Sequence, residues 1–594
     1  MTSGYLQNLP TVAPLSPEEF QQRALDELNF VYGEQQGTTL LKRLLTLIEE
    51  HPIHSATAPP DTLWSERSQV LICYGDNLLA EANSGEMPLQ TLARFLDDHL
   101  ADTFSSVHIL PFFPWSSDDG FSVVHYREIN PDLGDWEDIH RIAQRYQLMA
   151  DLVVNHVSRE SLWFTDYLSG TEPGRDYFIE LPKNTDVLMV TRPRASPVLT
   201  PVYTRRGKRY VWATFSKDQI DLNYANPDVL LEMTGILINY LQQGIRLIRL
   251  DAVAYLWKEL GTACIHLPQT HALVRLMRAI IDYLMPGALL ITETNVPHQE
   301  NLSYFGHLEA RQAPEAHMVY QFTLPPLLVH TLTSGDATPL SQWAASLPEL
   351  PPDCTFFNFT ASHDGIGVRA LEGLLPQHDI DQMLELMKRF GGYISMKANP
   401  DGTDSPYEAN ITYFDAMKGT RGGEDAWQII RFLCSQSIML GLQGIPGVYF
   451  HSLTGTTNDY ANVSRNGGLR AINRKKWRIQ ELDDQLAAVT PTRFVLKAMT
   501  QLLNKRRQEP CFHPSSPQKV LNFGEGIFAF QRGPLDDGRL LLAIHNVTRQ
   551  PINVRLPAEF AQREWRELMG HLQVQDGCFE LKPYYSAWLV SKSA

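Results

Sequence analysis

Quick signatures are scarce in this chain. Its 594 residues include six cysteines, at 73, 264, 354, 434, 511 and 578, and no two stand at CxxC spacing. That dispersal excludes a cysteine zinc site and a disulfide frame, and it suits reduced thiols in a cytoplasmic protein. No long run of lysine and arginine is present and the net charge is -16, which argues against nucleic acid, with its many phosphate contacts, as the main partner. Long apolar runs are missing too: the most apolar window, 428–450, is broken by Arg431, Ser435, Gln436, Gln443 and Pro446, and no membrane span is expected. The first residues carry acidic groups and no apolar core, unlike a signal peptide. There is no HExxH, no GxxxxGK followed by Ser or Thr, and no GxGxxG after a strand, hence no expected cofactor.

What is present is an ordinary globular composition, 43% hydrophobic and 20% charged, on a chain too long for one core. Residues 1–66 read as a helical extension, with Ser16 ahead of Glu18 and Glu19 as a cap for "PEEFQQRALDELNF". From residue 67 to 510, eight short apolar runs recur: "SQVLICYGD", "VHILPFFPW", "LMADLVVNH", "IRLIRLDAV", "LLITETN", "HMVYQFTLP", "CTFFNFTASHDG" and "GIPGVYF". Amphipathic stretches such as "DWEDIHRIAQRYQ" separate them. Continuous apolar strands alternating with helices indicate a parallel sheet buried on both faces, and eight of them an α/β fold, the (β/α)8 barrel. Two connections are too long for single crossovers, so insertions are expected at about 160–222 and 368–425. Residues 511–594 change to period-two strands, an antiparallel β domain.

Polar residues at the carboxyl ends of these runs are where barrel chemistry sits. The third run ends in Asn155 and His156, the fourth in Arg249 and Asp251, the fifth in Glu293 and the seventh in His363 and Asp364. One such carboxylate commonly caps a helix or pairs with an arginine. Four strand ends bearing acids or imidazoles together call for a different explanation. Three carboxylates on one rim suit chemistry at an acetal carbon, with a nucleophile, a general acid and a stabiliser of positive charge. Arg249 and Asp251 point to the same face of a strand, so Arg249 can hold Asp251 ionised as the nucleophile.

"DLVVNH", "RLIRLDAV", "ITETN" and "FTASHDGIG" resemble, in order, the four short regions of the α-amylase clan, glycoside hydrolase family 13. The resemblance implies Asp251 as nucleophile, Glu293 as acid and base, Asp364 as transition-state stabiliser, and Arg249, His156 and His363 as contacts of the glucosyl unit. "VHILPFFPWSSDDGFS", "RPRASP", "SHDGIG" and "RAINRKKW" resemble the sucrose phosphorylase branch of that clan. This implies Asp118 and Arg470 at the bottom of a closed glucose pocket, Phe121 beside them, and Arg194 on a loop that binds phosphate. Some clan members hold calcium near Asn155, but this branch does without it, and no metal is expected. The implied reaction is a retaining phosphorolysis yielding α-glucose 1-phosphate, by a monomer or a homodimer. A plain α-glucosidase and a non-catalytic binding subunit are the rival readings.

The acceptor loop departs from sucrose phosphorylases. "PDGTDSPYEANITY" places Ser405 and Glu408 where that branch has aspartate and glutamine, with Tyr407 either an acceptor wall or a packed aromatic. Together with "ITETNVPHQENLSYFG" and "NDYANV", the segment is most similar to glucosylglycerate phosphorylases. Asp404 favours a neutral acceptor such as glycerol, while Lys397, Arg192 and Arg194 offset it for glycerate. The expectation is phosphorolysis of glucosylglycerate, with glucosylglycerol, sucrose 6'-phosphate and sucrose as alternatives.

Overall fold

The computed structural model describes residues 12, 14–53, 61–194, 196–306, 315–399 and 401–592. Eight strands close into a barrel: Val70–Cys73, Ser106–Ile109, Gln147–Val153, Ile245–Asp251, Leu289–Thr292, Met318–Tyr320, Thr355–Phe359 and Ile445–Tyr449. They are the eight apolar runs of the sequence, neighbours in chain order, each paired in parallel. Their residues are almost all buried because helices such as Pro227–Gln242 and Pro268–Leu284 cover the outside while side chains fill the inside. Register sets the rim: Arg249 of the fourth strand lies level with Asp151 of the third and Ile291 of the fifth.

Of the predicted N-terminal extension, residues 1–11, 13 and 54–60 fall outside the described residues. The rest forms helices Pro17–Tyr32 and Glu34–Glu50, the first opened by the Ser16–Glu19 capping box. Its buried stripe, Phe20, Ala24 and Leu28, docks on the outer helix Pro268–Leu284, where Phe20 stacks on Tyr283 at 4.4 Å. A bidentate Arg275–Glu27 pair at 2.8 Å lies beside that contact.

Between the third and fourth strands lie the helix Leu162–Ser169 and the hairpin Leu199–Thr204 with Gly207–Trp212. Between the seventh and eighth lies a three-stranded antiparallel sheet, ordered Ile366–Gly367, Asp404–Asn410, Tyr393–Ala398. The C-terminal five-stranded antiparallel sheet runs Gln518–Asn522, Ile527–Arg532, Leu541–Asn546, Ser586–Ser591, Trp565–Glu567. Two fully buried arginines tie this region to the barrel through main-chain carbonyls. Arg506 donates to Leu440, Gly444 and Phe512, and Arg532 to Gly441, His513 and Ser516.

Candidate active site

The fourth strand answers why Arg249 and Asp251 share an apolar run. Arg249 is buried, and its Nη1 donates to Asp251 at 3.0 Å and to Asp151 on the third strand, while Nη2 lies 3.9 Å from Glu293. Asp151 is held from behind by His108 at 2.7 Å. Against the pressure of burial, Arg249 and His108 keep Asp151 ionised down to about 2. Directly after Asp251 the backbone turns left-handed at Ala252 (φ 52°), a conformation uncommon for a residue with a Cβ. That turn aims the Ala252 N–H at Glu293 Oε2, 3.1 Å away. Burial, reinforced by neighbouring carboxylates, pushes both Asp251 and Glu293 up to about 7 in spite of Arg249. A buried pair raised in this way can hold one proton between two acids at neutral pH.

Asp364 behaves differently. Burial pushes its carboxyl up, but Arg470 and, more weakly, Arg474 and Arg249 hold it well below the usual range. His363 lies 3.4 Å from it, and burial lowers the imidazole to about 3, so the ring is neutral. Phe121 stacks on His363 at 4.4 Å with rings 8° apart, and the Arg249 guanidinium lies 5.7 Å from the Phe121 ring on that same ring's π-system. His156 donates Nε2–H to the Phe121 carbonyl at 2.9 Å, since a carbonyl can only accept.

The geometry adds partners to two expected positions. The arginine in contact with Asp118 is Arg474, at 3.3 Å from Asp118 and 2.7 Å from Asp119, while Arg470 lies farther off but near enough for its charge to act on Asp118. Both stand in "RAINRKKW", but the short helical turn Leu469–Asn473 points them to different partners. Arg470 instead forks onto Glu408, two bonds of 2.9 Å, and pairs with Asp364. Glu408 was expected to meet the acceptor; it is 2% exposed with both oxygens engaged, so it braces Arg470. The aspartates are strained: Asp118 and Asp119 adopt φ of 54° and 47°.

Arg194 sits 5.1 Å over the ring of buried Tyr407, and near enough to Asp118 for its charge to lower that carboxyl. The sequence reading passed over three residues here, Tyr255, Asn295 and Arg369. Tyr255 is buried near enough to Tyr407, Arg369, Glu293 and Arg194 to respond to their charges. Gly367 pairs with Glu408, and a Cβ on it would meet Asn295 Nδ2 at 2.6 Å, so Asn295 reaches the rim only because residue 367 is glycine. The flanking segment "SHDGIGVRA" carried the signal for Arg369.

Beneath His156, the Lys258 ammonium lies between Asn155 Oδ1 at 2.7 Å and Asp221 Oδ2 at 2.8 Å. Among the described residues, no group of three or more metal-ligating side chains is present, and no helix is long and apolar enough to cross a membrane. Roomy clefts also open away from this rim. One of about 400 Å³ beside the first helix mixes Arg23 and Arg278 with Glu19 and Asp282. It offers neither nucleophile nor paired raised acids, so chemistry rather than volume identifies the site.

A profile of the α-amylase catalytic domain matches residues 100–355. A glucosylglycerate phosphorylase of Allomeiothermus silvanus is 43% identical over 582 residues, spanning 98% of this chain and all of its own length. A glucosylglycerate phosphorylase of Escherichia coli is 40% identical, spanning 96% of this chain and 100% of its own. Among solved structures, the sucrose 6F-phosphate phosphorylase from Thermoanaerobacter thermosaccharolyticum superimposes with a TM-score of 0.69 at 25% identity, covering 81% of this chain and 94% of that one. The chain belongs to the α-amylase family, among those of its members that are glycoside phosphorylases.

Proposed function

We propose that this enzyme cleaves 2-O-α-glucosylglycerate with inorganic phosphate, giving α-glucose 1-phosphate and glycerate by two displacements at one carbon. The observation that carries it is the meeting of two kinds of group at one rim. Asp251, Glu293 and Asp364 stand together around Arg249 and Arg470, and Arg194 and Arg369, without a carboxylate ion-pair partner among the described residues, come near Tyr255, which also feels Glu293. In the first step the Asp251 carboxylate attacks the anomeric carbon while Glu293 gives its proton to the glycosidic oxygen, and glycerate leaves. Arg249, nearer to Asp251 than to Glu293, places the shared proton on Glu293. In the second step a phosphate oxygen attacks the same carbon, its proton passes to Glu293, and Asp251 leaves. Two inversions retain the α configuration.

Asp364, kept ionised by Arg470, stabilises the positive charge that grows on the sugar ring. Asp118, with Arg474, and the Phe121–His363 stack define the far end of the glucose site. The arginine fork suits phosphate, which favours Arg194 as its holder. No cofactor enters these steps, and the Lys258 ammonium already supplies the cation next to Asn155 and Asp221. The scattered cysteines, five of them buried, fit a reducing cytoplasm.

The test is product analysis with glucosylglycerate, glucosylglycerol, sucrose 6'-phosphate and sucrose, each with and without phosphate, and with the Asp251→Asn variant. Phosphate-dependent glucose 1-phosphate from glucosylglycerate, lost in the variant, is expected. Free glucose formed equally fast without phosphate would make the enzyme a hydrolase. A stronger response to another substrate would replace the acceptor and leave the two-step chemistry.

A further inference from the structure

We propose that Arg369, seconded by Lys397, forms a carboxylate-binding subsite that makes the enzyme select an anionic leaving group over a neutral one of the same size. The inference rests on the phosphorylase reading above and assigns its acceptor preference to particular residues.

Arg369 opens the turn Arg369–Leu371, just after the edge strand Ile366–Gly367. The Val368 N–H bonds the Tyr407 carbonyl at 3.1 Å, so Arg369 leaves the sheet beside the tyrosine under Arg194. Its Nε is buried without a hydrogen-bond acceptor, and it pairs with no carboxylate among the described residues. Three other arginines of the rim differ: Arg249, Arg470 and Arg474 each hold at least two carboxylates. A partly buried guanidinium with a covered, unbonded Nε and no counter-charge is unfavourable, and an anion arriving with the substrate would relieve it.

Lys397 lies on the far strand of the same small sheet, opposite Ser405. Its side chain is mostly covered, yet its nearest carboxylate, Glu372, is 3.6 Å away. Burial and then the charge of Arg369 hold its ammonium below the usual range. Two cations are thus brought close together without a full complement of anions. Asn295, with a buried Oδ1 that lacks a partner, approaches from the loop after Glu293, the residue that protonates the leaving oxygen. A small carboxylate one or two bonds from that oxygen fits the two cations, as the carboxylate of glycerate does, while a free hydroxyl of the same leaving group can donate to Asn295 Oδ1. Inorganic phosphate shares the chemistry, and the experiment separates the two.

Wild type, Arg369→Gln, Arg369→Lys and Lys397→Gln are compared in the synthetic direction, with glucose 1-phosphate as donor and either D-glycerate or glycerol as acceptor. The readout is the ratio of kcat/KM for the two acceptors, with KM for phosphate measured in the forward direction. Arg369→Gln is expected to lower the glycerate-to-glycerol ratio at least tenfold, Lys397→Gln by less, and Arg369→Lys to restore part of it. An equal fall for both acceptors would make Arg369 structural and overturn the inference. So would an unchanged ratio with a raised KM for phosphate. Should Arg369→Gln not fold, the same ratio in Arg369→Lys and Lys397→Gln decides, and no change in either overturns it. A wild type that transfers glucose to neither acceptor would overturn the phosphorylase reading itself, a result visible without any variant.

Discussion

Replacing Glu293 by glutamine is expected to make the protein more stable, and only at pH values where the acid is needed. The folded carboxyl is raised from 4.5 to about 7, chiefly by burial. Below pH 4.5 it is protonated both folded and unfolded, and its ionisation contributes nothing. Between 4.5 and 7 the unfolded chain releases the proton while the folded one keeps it, so stability falls as pH rises. Above 7 the folded carboxyl must ionise at full cost. At about 1.4 kcal/mol per pH unit, the loss is about 3 kcal/mol. Glutamine keeps the shape and cannot ionise, so it escapes that loss. Asp251 then ionises with one fewer charge beside it, which adds in the same sense.

The assay is thermal unfolding of wild type and Glu293→Gln at half-unit steps from pH 4.5 to 8.5. The two midpoints should coincide at the acid end and separate through pH 7, by roughly 2 to 3 °C for a chain of this length unfolding as one unit. Turnover of glucosylglycerate should fall on the order of 100-fold to 10,000-fold in the same variant. A gap of constant size, or one that narrows as pH rises, would refute the assignment of a raised carboxyl to Glu293. A variant that gains stability and keeps its activity would refute its role as the acid.

Arg474→Ala leaves Asp118 and Asp119 without their common counter-charge and should raise KM for the glucoside on the order of 100-fold, with Arg470 unable to replace it; steady-state kinetics check this. Lys258→Met removes the ammonium between Asn155 and buried Asp221 and should lower stability by about 3 kcal/mol, read by denaturant unfolding. Arg194→Ala should raise KM for phosphate at least tenfold and increase the share of free glucose among the products, while Arg194→Lys, which lacks the fork, should recover only part of the loss.

The barrel was legible because strands buried on both faces must read as unbroken apolar runs, and all eight did. The placement of Asp251, Glu293 and Asp364 was legible for a related reason: a charged residue at the end of such a run has nowhere to go but the rim. The acceptor side was not legible in this way. Glu408 and Tyr407 are adjacent, yet Glu408 turns inward to grip Arg470 while Tyr407 carries Arg194. Which of Arg470 and Arg474 meets Asp118 depends on the pitch of one short turn. Arg369 escaped notice, although it stands just after His363 and Asp364, because its surroundings come from strands 24 to 41 positions farther along the chain.

These placements combine into two charge environments at one rim. Seven carboxylates, Asp118, Asp119, Asp151, Asp251, Glu293, Asp364 and Glu408, are shared among Arg249, Arg470 and Arg474, with His363 neutral. That cluster carries more negative than positive charge and so favours the cation that develops on the sugar. Arg194 and Arg369 lie close to Tyr255 and Tyr407, with Lys397 near Arg369 and its carboxylate neighbour, Glu372, 3.6 Å from Lys397. This second group favours an anion, whether leaving or arriving. Water gains nothing from such an environment, because it carries no charge to be held, whereas glycerate departing and phosphate entering both do. A preference for phosphate is expected of the same arrangement that raises Asp251 and Glu293 alike to about 7 and leaves one proton between them. Neutralising Arg194 and Arg369 together should move the enzyme toward hydrolysis without altering the configuration of the product.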